Sequence, residues 1–243
     1  MEYRANFFLM VISQVLWVVV QLALISVFFT SSSTIHGWDI YQLFLLVGMY
    51  RCIDGLFHIF FYRNLLDFPE IIRTGDLDGF LTKPAGTLFL ASTRYQKLNE
   101  VGTTLTGAGV VIFSLFHLHY QLSLFLVGTL FISLLAGLTT VYSVILMFSS
   151  LSFFLTRMTA LEAFWDMLSK TLRVPLDLIT QGNSLANALL LPLLIVVTIP
   201  AQIITQKISG LFIFLEIPCA LVFFILAVRF FNFSLRHYSS ASS

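Results

Sequence analysis

The sequence predicts an all-α integral membrane protein that crosses the bilayer six times, with both termini cytoplasmic. Three observations carry that reading. Of 243 residues, 58% are apolar and only 10% charged, and mean hydropathy is +0.93. A soluble domain carries about 25% charge, so this chain has more apolar surface than its own core could hide, whereas a bilayer solvates it from outside. The apolar residues fall in long runs, which excludes a transmembrane barrel, whose strands alternate over about ten residues. Lysine and arginine then collect in alternate loops, and that asymmetry sets orientation.

The first run, 6–29, is about 36 Å long as a helix, enough to span with some tilt. It exceeds a signal-peptide core and lacks a small-residue cleavage site, so it reads as a retained span. A polar break from Thr30 to Asp39 follows, where His36 and Trp38 stand as expected interfacial anchors. The second run is 40–62. Residues 63–100 are the one substantial water-facing segment, carrying charges from Arg63 to Glu100 and Pro69 and Pro84. The third run, 101–118, is rich in small residues (Gly102, Thr103, Thr104, Thr106, Gly107, Ala108, Gly109) that let helices approach closely in lipid, so it belongs inside the bundle. A short break, His117 to Gln121, leads to the fourth run, 122–150. The last clear span is 208–231, followed by Arg236, His237 and a serine-rich tail.

Residues 154–207 allow two readings. Leu161 to Leu172 is amphipathic, with Glu162, Asp166, Lys170 and Arg173, while 185–204 is apolar but interrupted by Pro192 and Pro200. Either 185–204 is the fifth span and the amphipathic piece is cytoplasmic, or the amphipathic piece forms the span 157–174 and 185–204 is re-entrant. Both keep an even number of crossings. With the N-terminus inside, Arg4, Arg63, Arg73, Lys83, Arg94, Lys97, Arg157 and Arg236 are cytoplasmic, and the opposite breaks contain no Lys or Arg.

Several function classes drop out. A net charge of +1 offers no polybasic face to nucleic acid. None of the four lysines follows a glycine, so there is no Gly-Lys-Ser/Thr phosphate loop, and no hydrolase or zinc-protease signature occurs. Cys52 and Cys219 lie inside apolar runs and do not make a disulfide framework. His117 and His119 are too few ligands for a metal site, so no metal is expected. Pro175, Pro192 and Pro200 read as helix breaks, tolerated at membrane depth only against protein or a cavity.

Two constellations stand out. Arg51, Asp54, His58 and Tyr62 are spaced to share one face of the second span. Ionisable residues in a span cost at least about 2.5–3.5 kcal/mol, so they face protein or water. They read either as a stripe along a translocation path or as an Arg51–Asp54 ion pair that fixes packing. Glu216, in the last span, lies at a depth similar to Arg51, which suggests a contact between them. The second constellation is Gly75-Asp76-Leu77-Asp78-Gly79-Phe80-Leu81-Thr82-Lys83-Pro84, after a short helix from Phe68 to Arg73 that includes Glu70. Leu77, Phe80 and Leu81 offer apolar anchors while Asp76, Asp78 and Lys83 stay wet; on physical grounds alone a solvated connector has the same composition.

That motif resembles the G-x-L-D-x-x-L-x-K-P element of ABC-2 type exporter permeases, where it also falls between spans two and three. Tyr3-Arg4-Ala5-Asn6-Phe7, Ile35-His36-Gly37-Trp38 and Pro175-Leu176-Asp177 are similar to that family too. The family usually has a longer amphipathic segment before the Tyr3–Phe7 element and a glycine where Thr171 and Arg173 stand. The resemblance implies a permease of a bacterial cytoplasmic membrane, with six spans and no ATPase or cofactor of its own. ATP and Mg would be bound by separate ABC ATPase subunits, and a second or related permease copy would complete a homo- or heterodimer in the lipid. It implies that Phe68, Glu70, Arg73, Gly75, Asp76, Leu77, Asp78, Leu81, Lys83 and Pro84 form the ATPase-coupling loop, and it favours the re-entrant reading of 185–204. A proton-coupled transporter using Arg51, Asp54, His58 and Glu216, or a non-transporting scaffold, are the competing functions.

Overall fold

The computed structural model describes residues 2–31, 33–84, 86–120, 123–155, 160–175 and 194–238. Gln121, Arg157, Leu176, Asp177, Pro192, residues 185–193 and the serine-rich end lie outside the described residues.

Helix α1 (Glu2–Phe28) is followed by a two-stranded antiparallel hairpin, β1 (Thr34–Ile35) and β2 (Trp38–Asp39). His36 and Gly37 turn it with positive φ (49° and 78°), a conformation glycine adopts without the Cβ penalty. Asp39 then starts α2 (Ile40–Phe57) with a capping box: its carboxylate accepts from the Tyr41 amide, and the Gln42 side chain accepts from the Asp39 amide. Such a cap satisfies amides that the first turn leaves free.

Hydropathy ends the second run at residue 62, but the helix does not end there. A π turn (His58–Tyr62) passes into α3 (Arg63–Thr74) without a break. Residues 63–74 are amphipathic rather than apolar: Asn64, Leu65 and Phe68 are buried while Arg63, Asp67, Glu70 and Arg73 face outward. Gly75, at φ 82°, stops the helix in a left-handed cap. Short helices α4 (Asp78–Leu81) and α5 (Thr87–Thr93) lead to α6 (Val101–His117) and α7 (Leu124–Ser150). Then come α8 (Ala160–Thr171), a π turn (Leu194–Thr198) running into α9 (Ile199–Ile204), and α10 (Ile213–Leu235).

Helices α2 and α6 pack with almost no space between backbones. A Cβ on Gly107 would lie 2.7 Å from the Cys52 amide nitrogen, and one on Gly55 would lie 2.7 Å from that of Thr104. Small residues permit this approach where no hydrophobic force drives helices together in lipid. Helix α10 packs along α7, and α1 touches the bundle mainly through Val18 against Phe44 and Val110. Many of its described side chains are exposed, including Leu16, Trp17, Val20 and Leu24, an outer surface suited to lipid.

Contacts order the bundle between a loop end, near residues 63–100, and a hairpin end, near β1–β2. Gly102 of α6 sits against Gln14 of α1, whereas Leu22 and Ile25 pack near Ile40 and Tyr41, so α1 starts at the loop end. At the other terminus Phe231 of α10 meets Phe68 of α3, so the chain returns to the loop end.

Among the described residues, five helical stretches are long and apolar enough to cross a bilayer: Leu9–Phe28, Ile40–Thr74, Leu98–His117, Leu124–Phe153 and Gly210–Leu235. Helix α8, where the sequence expects the span 157–174, is about 18 Å long and is not among them. It nonetheless lies along α2, with Trp165 beside Tyr62 and Arg173 over Tyr50, three turns deeper. After the undescribed residues, the Val196 carbonyl faces Gly137 in the middle of α7, and Lys207 reaches Trp38 at the hairpin end. Trp38 is therefore no interfacial anchor: it is fully buried, with the Lys207 ammonium 3.5 Å above its ring.

Candidate functional site

The polar stripe of α2 forms, but its partners differ from those the spacing suggests. The Tyr50 hydroxyl donates to Asp54 Oδ1 at 3.1 Å, and His58 Nδ1 lies 3.4 Å from the same oxygen. His58 stacks on Tyr62 with ring centres 4.0 Å apart, and Trp165 of α8 closes over Phe57, His58 and Tyr62 at 4.9, 5.3 and 5.5 Å. Asp54 is thus held by a phenol and an imidazole. Among the described residues it makes no ion pair with Arg51, so the packing reading based on that pair is corrected.

Arg51 turns toward α6 instead. Its Nη2 donates to Thr106 Oγ1 at 3.3 Å, while its Nε is buried without a hydrogen-bond partner among the described residues. Glu216 is elsewhere again: Ser133 Oγ of α7 donates to its Oε2 at 2.7 Å, and its Oε1 is buried with no partner among the described residues. The expected Arg51–Glu216 contact does not form, because Arg51 faces α6 whereas Glu216 is enclosed between α7 and α10. Similar depth does not specify rotation about the helix axis.

Sequence reasoning did not single out Tyr50, Thr106, Ser133 or Trp165. For Trp165 a signal existed, since Leu161, Trp165, Leu168 and Leu172 recur at helical spacing and are all buried. For the others the information lies on two helices at once.

The segment 68–84 is anchored on one side and open on the other. Phe68 is fully buried against Phe153 and Phe231, with ring centres 5.6 Å away in each case. Leu77 and Phe80 are buried, whereas Leu81, expected as a third anchor, is 47% exposed. Helix α4 is a single turn, so consecutive Phe80 and Leu81 cannot point the same way. Glu70, Arg73, Asp76, Lys83 and Pro84 are exposed, while Gly75 and Asp78 are half-buried. Arg73 Nε donates to Glu70 Oε2 at 2.8 Å, and Thr74 Oγ1 donates to Asp76 Oδ2 at 3.0 Å.

Three further ties fix the start of α3 and the chain beside it. The buried Asn64 amide donates to the carbonyls of Phe60 and Tyr95 and accepts from the Tyr95 amide. Ser149 Oγ donates to the Leu65 carbonyl at 2.9 Å. Tyr238, just past α10, packs edge-on against Phe153. Burial, and then the Asp78 carboxylate beside it, push its phenol above the usual tyrosine range.

Among the described residues no group of three or more His, Cys, Asp or Glu could hold a metal. His117 is tied into the bundle instead, its Nδ1 3.0 Å from the Phe113 carbonyl and its ring stacked on Tyr41 at 4.6 Å.

No curated protein and no solved structure matches the chain. The family model for the ABC-2 family transporter protein matches residues 15–242. A match of that extent takes in most of the first apolar run, all the later ones and the anchored segment between α2 and α6, and the chain belongs to the ABC-2 family of transporter proteins.

Proposed function

We propose that this chain is the membrane permease subunit of an ATP-driven exporter, forming half of the translocation path and coupling to separate ABC ATPase subunits through residues 68–84. Family membership supports the general reading, and the two-faced build of 68–84 carries the finer one. On its buried side Phe68 packs against Phe153 and Phe231 at the ends of α7 and α10, with Leu77 and Phe80 also buried, and its open side (Glu70, Arg73, Asp76, Leu81, Lys83, Pro84) offers an apolar tip rimmed by charge. A partner's push on that tip would shift the population between two arrangements of the bundle. ATP and Mg belong to that partner in this reading.

The same proposal has six crossings, with α8 as part of the fifth span, 194–204 as the end of a re-entrant stretch, and both termini cytoplasmic. The depth reached by Arg173 and the rise from Val196 to Lys207 support it. A second permease copy or a related permease completes the path, and the setting is a bacterial cytoplasmic membrane. Arg51, Asp54, His58 and their α8 neighbours would then line or gate the path. A proton relay through Arg51, Asp54, His58 and Glu216 is less well supported, because Glu216 is confined between α7 and α10.

The test is copurification of an ATPase with the tagged chain from its native membrane, for wild type and for Leu81→Glu with Lys83→Ala. Both positions are exposed, so the variant keeps the fold. An ATPase that accompanies wild type and leaves the variant supports the reading. A lone, ATPase-free oligomer in several detergents sinks it.

A further inference from the structure

A cavity of about 520 Å³ opens on the flank of the bundle, away from the stripe on α2. Its walls are Phe61, Phe89 and Leu138 with Phe224 of α10; of its polar lining groups, Ser92 Oγ and Tyr142 OH are bonded to each other at 2.7 Å, and the Thr93 and Thr139 hydroxyls donate to the Phe89 and Leu135 carbonyls. With these hydroxyls already bonded within the protein and the remaining walls apolar, the cavity suits a hydrocarbon chain. It opens sideways, since Phe89 is 63% and Phe224 37% exposed. Phe61 lies two residues before Arg63, where the spanning helix becomes amphipathic, so the cavity stands at the level where chains meet headgroups.

The wall formed by residues 86–93 is bracketed by two exposed cations, Lys83 and Arg94. Both lie over the Phe80 ring, at 5.9 and 5.6 Å, and Arg94 also covers Tyr95 at 4.8 Å. Among the described residues neither makes an ion pair, unlike Arg63 and Arg73, which are matched by Asp67 and Glu70. Unmatched cations over aromatic rings, beside an apolar slot at headgroup level, complement an anion that carries an acyl chain.

We propose that this flank binds an anionic phospholipid from the leaflet on the side of residues 63–100, one acyl chain in the cavity and the phosphate at Arg94 and Lys83. Such a lipid would splint α5 to α7 and α10, the helices that the anchored segment also grips. The inference needs no ATPase and stands or falls apart from the exporter reading.

Native mass spectrometry of the delipidated full chain, titrated with phosphatidylglycerol or phosphatidylcholine of identical acyl chains, tests it. Phosphatidylglycerol is expected to occupy one site about tenfold more tightly. Arg94→Ala should remove most of that preference. Gly86→Leu, at a cavity-lining position where an added Cβ meets nothing within 4 Å, should weaken both lipids by filling the slot. A photoreactive p-benzoylphenylalanine in place of Phe89 should crosslink phosphatidylglycerol in mixed nanodiscs. That readout holds even if Gly86→Leu folds poorly. Equal affinity for the two lipids, or equal crosslinking of both, would overturn the proposal, as would phosphatidylglycerol binding unchanged in a folded Gly86→Leu.

Discussion

Ser133 Oγ donates to Glu216 Oε2 at 2.7 Å across the buried seam between α7 and α10, and Oε1 of the same carboxylate has no partner among the described residues. A hydrogen bond between spans is worth about 1 kcal/mol. Ser133→Ala should lower stability by about that amount, and Glu216→Leu should cost less than its size suggests because it also removes the orphaned oxygen. Thermal unfolding in detergent compares the two. A Ser133→Ala variant as stable as wild type would show that the bond contributes nothing.

Glycine positions on α6 should differ sharply. A Cβ at Gly107 meets backbone atoms of α2 at 2.7 and 2.9 Å, which no side-chain motion relieves, whereas a Cβ at Gly109 meets nothing within 4 Å. Gly107→Ala should destabilise by about 1–3 kcal/mol through overpacking, and Gly109→Ala should be neutral or slightly stabilising. Unfolding midpoints for the pair check this, with equal midpoints as the outcome against it.

Two leucines four residues apart should separate folding from coupling. Leu77 is fully buried, so Leu77→Asp buries a charge and should cut stability and yield severely, by about 3 kcal/mol or more. Leu81 is exposed, so Leu81→Asp should fold normally and lose only the ATPase partner. Yield and midpoint report the first effect and copurification the second.

The phenol of Tyr238 carries a pH signature. Its pKa is raised by burial and then by Asp78, so the folded protein holds the phenolic proton more tightly than the unfolded chain. This contribution to stability is full below the ordinary tyrosine value of about 10 and is lost as pH rises through the higher folded value. The tyrosinate absorbance difference between wild type and Tyr238→Phe should titrate above the ordinary value. Asp78→Asn should shift it downward, and no shift would remove Asp78 from the environment of Tyr238.

Much of the architecture was legible in one dimension. The runs at 6–29, 101–118 and 122–150 became α1, α6 and α7 within a few residues, and the small residues of 101–118 forecast close packing, for which the structure supplies α2 as the partner. The second run was read too short because hydropathy measures average polarity, and residues 63–74 remain helical by burying Asn64, Leu65 and Phe68 on one side only. In the 68–84 segment, composition showed apolar and charged residues together but could not assign Leu77 and Leu81 to opposite environments.

Outside residues 154–207, what the sequence by itself determined was partition: which runs are long and apolar enough to leave water, in which order, and that polar residues inside them need protein around them. Transfer from water depends on the residues of one segment, so it can be read along the chain. Only the tertiary structure decided the partners. Asp54 went to Tyr50 and His58, Arg51 to Thr106, Glu216 to Ser133, and Phe68 to the ends of α7 and α10. Each of those choices depends on the rotation of two helices about their axes, and packing between distant segments sets that rotation.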